Sequence, residues 1–206
     1  MAPTWEQLEA FAPLEWAAPF LTSPQWSVRD RSRGTDPSTD KFCLNAMRAN
    51  DGVSHWLELF LRPAPGESVQ KTVSLIRFGS GLGGIPGICH GGATLALMDE
   101  GLAYAMIANE ISDDDNHLAD LHSNMWRAIE EGKPLAEALK GMYVTAKLDI
   151  KFLRPVPSPG LVGIETEVLE IKGPKMKMRG IMKDAKGIPV MQADGLWVKI
   201  GGAAKL

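Results

Sequence analysis

Hydrophobic positions along this chain follow two different rhythms. Residues 144–153 alternate, with Val144, Ala146, Leu148, Ile150 and Phe152 on one face and Thr145, Lys147, Asp149 and Lys151 on the other, the pattern of a half-buried strand. Three more strand-like runs follow at 161–171, 175–183 and 189–200, divided by the turn formers Lys172-Gly173-Pro174 and Asp184-Ala185-Lys186-Gly187. Three shorter runs come earlier, at 42–47, 55–62 and 72–78, separated by Asn50-Asp51-Gly52 and Pro63-Ala64-Pro65-Gly66. They read as successive antiparallel strands. Between the two sets, 91–108 contains no proline and is apolar on nearly every side except at Thr94, Asp99 and Glu100, so it is expected to be a helix inside the protein. Strands, one buried helix and a strand meander predict an α+β domain in which a curled antiparallel sheet wraps that helix.

The flanking segments are of another kind. Thr4 and Gln7 fit a capping box, and Trp5, Leu8 and Phe11 recur at helical spacing until Pro13 and Pro19 interrupt. Residues 27–40 turn polar, with Arg29, Asp30, Arg31, Arg33 and Asp36-Pro37-Ser38, as a surface connection would. This division gives an N-terminal helix and linker at 1–40 and a core domain at 41–206. Within that domain, 109–142 reads as a polar, mostly helical insertion, in which Asp113-Asp114-Asp115 makes a helix start rather than a metal site and Trp126, Ile129 and Leu135 supply buried contacts.

Composition narrows the function classes. A chain of 206 residues, 45% hydrophobic, can bury the core of one domain. A net charge of −3 gives no general attraction to nucleic acid or an anionic membrane. The two cysteines, Cys43 and Cys89, form neither a disulfide framework nor a zinc motif. The opening MAPTWEQLEA carries an acid where a signal peptide needs a base, and no apolar run is long enough to span a bilayer.

Candidate chemistry gathers at the start of the apolar helix. Gly87-Ile88-Cys89-His90-Gly91-Gly92 brings a flexible loop to helical amides that lack intrahelical partners and sit at the positive end of the dipole. That arrangement suits a thioester carbonyl or oxyanion, and glycine lets a substrate approach the backbone. The same glycines also suit tight packing of the helix start. Asp99 is harder to explain structurally, because a carboxylate in an apolar helix is rare unless paired or functional. Asp99 and Glu100 are separated by about 100° around the helix, so one of them at most faces a given site.

His90-Gly91-Gly92 followed by Asp99, HGGATLALMD over 90–99, resembles the PaaI-like and THEM-type hotdog-fold acyl-CoA thioesterases across roughly residues 42–200, the insertion excepted. The resemblance implies a hotdog fold, Asp99 as general base or nucleophile, the Gly91 amide polarising the thioester carbonyl beside Gly92, and His90 shaping the loop. It also implies a polar role for Thr145 in holding the attacking water, although the alternation places Thr145 on the polar face with Lys147 and Asp149, where it serves equally as a solvent-facing strand residue. Lys172 and Lys175, with Lys177, Arg179 and Arg154, are candidate contacts for coenzyme A phosphates or simply an exposed basic hairpin. No metal or redox cofactor is required, and the substrate carrier is coenzyme A or acyl carrier protein. Gly91 and Asp99 are eight residues apart, about 12 Å along a helix, too far to reach one carbonyl. Two helices packed antiparallel across a two-fold axis bring them together, so a homodimer or dimer of dimers is expected.

Two features depart from the family pattern. Residues 81–88, GLGGIPGI, lack the Asn or Gln that relatives place before the histidine, and 109–142 is longer than the usual helix-to-strand link, as a lid or pocket wall would be. The same fold supports dehydratase, isomerase or cyclase chemistry on acyl thioesters and noncatalytic acyl-CoA sensing, and these stay open beside hydrolysis. The chain ends in Ala204-Lys205-Leu206, close to the S-K-L peroxisomal signal; a chance ending on a cytoplasmic protein is the alternative.

Overall fold

The computed structural model describes residues 3–31, 40–113 and 117–201, with side chains outside 112–123. One antiparallel sheet contains β1 (Trp26–Asp30), β2 (Val53–Leu61), β3 (Lys71–Phe78), β6 (Tyr143–Phe152), β7 (Gly160–Lys172), β8 (Lys175–Lys183) and β9 (Pro189–Lys199), in the spatial order β1-β2-β3-β7-β8-β9-β6. A two-stranded hairpin, β4 (Gly83–Ile85) with β5 (Ile88–Cys89), stands apart from it and leads into α3 (Gly91–Asp113). The curled sheet around this long central helix is the α+β hotdog arrangement that the sequence predicts. Leu97, Met98, Leu102 and Ala105 of α3 are buried against Trp56, Ile76, Ile164, Met178 and Trp197 of the sheet. Gly180 on β8 permits the close approach, since a Cβ there would lie 2.9 Å from Leu102 and 3.0 Å from Met98 Sδ.

The far face of the sheet is covered as well. The capping box at Thr4 and Gln7 forms, α1 (Trp5–Phe11) and α2 (Ala18–Thr22) follow, and Phe11, Leu14 and Leu21 pack on Val28, Leu57, Val73 and Leu75. Strands β2 and β3 are therefore buried on both sides. Each large apolar side chain removed from water there contributes about 1.5–3 kcal/mol.

Three expectations change. Residues 42–47 are not a strand: Phe42–Ala46 is one wide helical turn, and its buried residues Cys43 and Met47, four apart, enter the core on one face. Residues 27–40 are not simply a surface connection: Trp26–Asp30 pairs along β2, with Arg29 opposite Glu58, and Arg31 is buried. In the insertion, α4 (His117–Glu130) and α5 (Leu135–Ala138) form, yet Ile129 and Leu135 are exposed and Trp126 is half-buried. Asp114, Asp115, Arg33, the Asp36-Pro37-Ser38 run and the last five residues lie outside the described residues, and the Asp113 side chain does too. No described helix is long and apolar enough to cross a membrane.

Candidate active site

Asp99 sits about two turns into α3 and is half-buried. Its partner comes from β6 through an irregularity that strict alternation hides. The β6–β9 register runs Thr145↔Trp197 and then Lys147↔Leu196, leaving Ala146 unmatched. One extra residue in a strand reverses which side chains face each surface on either side of it. Thr145 consequently shares the inner face with Leu148 and Ile150, which pack on the core, and Thr145 Oγ1 donates to Asp99 Oδ1 at 3.1 Å. Burial pushes the Asp99 carboxyl above the ordinary carboxylate range; the Thr145 hydrogen bond works against this and the neighbouring Glu100 charge adds to it.

Glu100 points elsewhere, as the 100° step requires. Arg31 Nη2 lies 2.5 Å from Glu100 Oε2, Arg31 Nη1 bonds Asp40 Oδ2, and the guanidinium stacks 4.7 Å from the Trp56 ring centre. Burial lowers the Arg31 pKa, but the two carboxylates outweigh it and hold the group fully charged. Asp40, Cys43 and Glu100 bring their donor atoms within 4.8 Å of one another, a grouping assembled from separate segments and already met by the Arg31 cation. Burial pushes the Cys43 thiol up to about 12, with the Glu100 charge adding to the effect.

The helix start is organised by His90. Its N–H donates to Leu82 O at 2.8 Å, its carbonyl accepts from Thr94 N–H and Oγ1 at 2.9 and 3.1 Å, and its Nδ1 accepts the Gly92 N–H at 3.0 Å. His90 thus takes the Gly92 amide, and Gly91 supplies the first amide of the helix, which helix geometry leaves without an internal partner. Within GLGGIPGI, Gly84 packs directly against the histidine: a Cβ there would fall 2.9 Å from His90 Cα. A side chain at 84 would thus displace the histidine.

Beside Gly91 opens a cleft of about 590 Å³ lined by Ile85, Ile88, His90, Phe152, Arg154 and Val156, among others. A Cβ on Gly91 would meet the Phe152 ring at 3.9 Å. Ile85 and Phe152 are 63% and 59% exposed and give the cleft an apolar rim. None of the described side chains of 109–142 lines this cleft. Arg154 Nη1 is engaged with Pro189 O at 2.7 Å. Lys172 and Lys175 close the β7–β8 hairpin and are absent from the cleft lining; register through β9 puts their end of the sheet beside Val144, the Thr145 end of β6. Lys177 pairs with Glu170 and Arg179 with Asp194. Asp99 with Thr145 and Gly91 with His90 are therefore two separate groupings toward opposite ends of one strand.

A family model for the thioesterase superfamily matches residues 86–190. Verlamelin biosynthesis protein B of Lecanicillium sp. is 22% identical over 179 residues, covering 82% of this chain and 77% of that protein. A crystal structure of a thioesterase superfamily protein is 21% identical with a TM-score of 0.45, covering 70% of this chain and 54% of its own. The PaaI protein of the E. coli phenylacetic acid degradation operon is 17% identical with a TM-score of 0.45, covering 64% of this chain and 74% of its own. Since the family match takes in the loop before the helix, the helix carrying Asp99 and the strand carrying Thr145, the chain belongs to the thioesterase superfamily.

Proposed function

We propose that this chain hydrolyses an acyl thioester, with coenzyme A or acyl carrier protein as the thiol carrier, in a site made by two copies of itself. The observation that carries the reading is the Asp99 carboxylate, held by Thr145 on one face of a buried helix whose start offers the Gly91 amide beside an apolar cleft. Asp99 takes a proton from water as the water oxygen bonds to the carbonyl carbon, and the Gly91 amide stabilises the resulting oxyanion. Collapse of that intermediate breaks the C–S bond, and the proton held by Asp99 passes to the departing thiolate. The products are a carboxylic acid and a free thiol. Attack by Asp99 itself, with water then opening the anhydride, balances in the same way.

Two copies are needed because Gly91 and Asp99 are about 12 Å apart along one helix. Strand β6 is the last in the sheet order, and its outer edge has no strand partner among the described residues, the kind of edge that pairs with another chain. Thr145 and Phe152 stand seven residues apart, about 23 Å. Antiparallel pairing of two β6 edges centred near Leu148 and Asp149 carries the Thr145 end of one copy to the Phe152 end of the other, and Asp99 thereby approaches the partner's Gly91. Lys172 and Lys175, at the Thr145 end, are then available to carrier phosphates.

The deciding experiment is thiol release from a panel of acyl-CoAs by the wild type and Asp99→Asn. Turnover lost in the variant supports the assignment, and turnover retained sinks it. A second reading, acyl-thioester dehydration, isomerisation or cyclisation in a biosynthetic pathway, draws on the likeness to verlamelin biosynthesis protein B of Lecanicillium sp.; product formation without thiol release would favour it. Peroxisomal residence through Ala204-Lys205-Leu206 remains a proposal, tested by fusing those residues to a reporter.

A further inference from the structure

Arg31 comes from the chain ahead of the matched segment, and its side chain is 1% exposed. Its backbone N–H donates to Trp56 O at 3.1 Å, fixing the residue against β2. From there the planar fork divides between Asp40 and Glu100 while its face lies on Trp56. A guanidinium buried this thoroughly is retained where carboxylates and an aromatic face replace its water, a geometry that the point charge of lysine does not reproduce.

On α3, Glu100 is the residue directly after Asp99. Two adjacent carboxylates on a packed helix repel one another, and a rotation of the helix about its axis would carry the Asp99 carboxylate off Thr145. The Arg31 grip on Glu100 and the Thr145 grip on Asp99 fix that rotation from two flanks. We propose that Arg31 is a positioning residue for the chemistry at Asp99, clamping α3 through Glu100 and countering the Glu100 charge so that Asp99 stays aimed at Thr145. The role presumes that Asp99 is the reacting carboxylate. The electrostatics agree, because the Glu100 charge pushes the Asp99 carboxyl upward and Arg31 is a buried cation bound to Glu100.

Few other charges face this pair among the described side chains. The segment before β2 brings Arg31, Asp40 and Cys43. On β2 the buried acid is Glu58, opposite Arg29 of β1. The buried positions of β3, β7 and β8 toward the helix are uncharged, with Ser74, Thr166 and Met178 typical of them. On β6, Lys147 is 3.3 Å from Asp149, on β9 Lys199 is 3.3 Å from Glu110, and on α4 Arg127 is exposed.

Carboxyl-carbon NMR of protein labelled at aspartate reads Asp99 directly, its resonance identified by loss in Asp99→Asn. Arg31→Met is expected to move the Asp99 titration midpoint upward and Glu100→Gln to move it downward. Adding Arg31→Met to Glu100→Gln is expected to cause no further movement, because Arg31 acts through Glu100. The acid limb of thioester hydrolysis against pH should follow the same order. An unmoved midpoint in Arg31→Met, or an equal upward step in both backgrounds, overturns the proposal. Where Arg31→Met gives no folded spectrum, Glu100→Gln and Arg31→Lys decide: an unmoved midpoint in either overturns the proposal, and a lowered one in Glu100→Gln with a raised one in Arg31→Lys, whose ammonium does not span both carboxylates, supports it. Hydrolysis that survives Asp99→Asn defeats the functional reading instead, and leaves the titration result standing on its own.

Discussion

Thr145 Oγ1 donates to Asp99 Oδ1 across 3.1 Å, joining an edge strand to the central helix over 46 positions of sequence. The contact exists because Ala146 is unmatched in the β6–β9 register, which turns Thr145 inward. The hydrogen bond favours the ionised carboxylate and opposes the upward push of burial. Thr145→Val, close in size and lacking the hydroxyl, is expected to raise the Asp99 pKa. The acid limb of kcat/KM should move to higher pH, and the plateau should fall roughly tenfold as the carboxylate loses its orientation. A profile identical to wild type would show that the hydroxyl has no part in the reaction.

Deleting the Asp99 charge has a consequence for stability as well. The folded-state pKa of Asp99 is raised above its unfolded value near 3.8, with burial the largest cause. The folded protein therefore holds the proton more tightly than the unfolded chain, and this contribution to stability is present below the unfolded pKa and lost as pH rises through the folded one. Asn keeps the hydrogen-bond acceptor for Thr145 without the charge. Asp99→Asn is thus expected to melt at a higher temperature than wild type at pH 7, and the difference should shrink as pH falls to 4 and below. Thermal melts at several pH values check this, and a variant less stable than wild type at pH 7 contradicts it.

The parts of the molecule that were legible in the sequence are those with a local periodic cause. Helix α3 is marked by apolar residues on nearly every side, β6 by alternation, and β7 to β9 by strand-like runs between strong turn formers. Phe42–Ala46 was misread because five of the six residues in 42–47 are apolar; the clue was Cys43 and Met47, spaced four apart as on a helix. The orientation of Thr145 was not legible, since a one-residue bulge leaves no mark in an alternating pattern. Nor was Arg31, which sits in a run of charges that reads as surface. Its burial depends on Trp56 and on Glu100, 69 residues away.

Gly84 is a small residue with a definite load on it. Its ideal Cβ falls 2.9 Å from His90 Cα and 3.1 Å from His90 Cβ, and main-chain atoms at that range cannot simply swing aside. Gly84→Ala should push the β4–β5 hairpin away from His90, costing about 1–3 kcal/mol of stability and loosening the His90 Nδ1 contact with the Gly92 amide. Reduced denaturant midpoint together with lower kcat/KM is the expected outcome. Unchanged stability would mean that the hairpin can move without cost.

Whether one site draws on two copies can be asked by complementation. Gly91 opens α3, a position where proline is tolerated because its fixed φ suits the first turn and the lost N–H is not used by the helix. There is room for the ring's first carbon, since the nearest atoms to a Cβ at 91 are Phe152 ring carbons at 3.9 Å. Gly91→Pro should therefore fold while losing the amide aimed at the oxyanion, with a fall in kcat of roughly 10²–10³. Asp99→Asn should be comparably inactive with its amide intact. When the two inactive variants are unfolded together and refolded as a mixture, half of the dimers are mixed. In each mixed dimer one site joins the good Gly91 of one copy to the good Asp99 of the other, and its second site carries both defects. Activity should recover to about a quarter of wild type. If Gly91 and Asp99 of the same copy formed the site, every subunit would remain defective, and mixing would recover nothing.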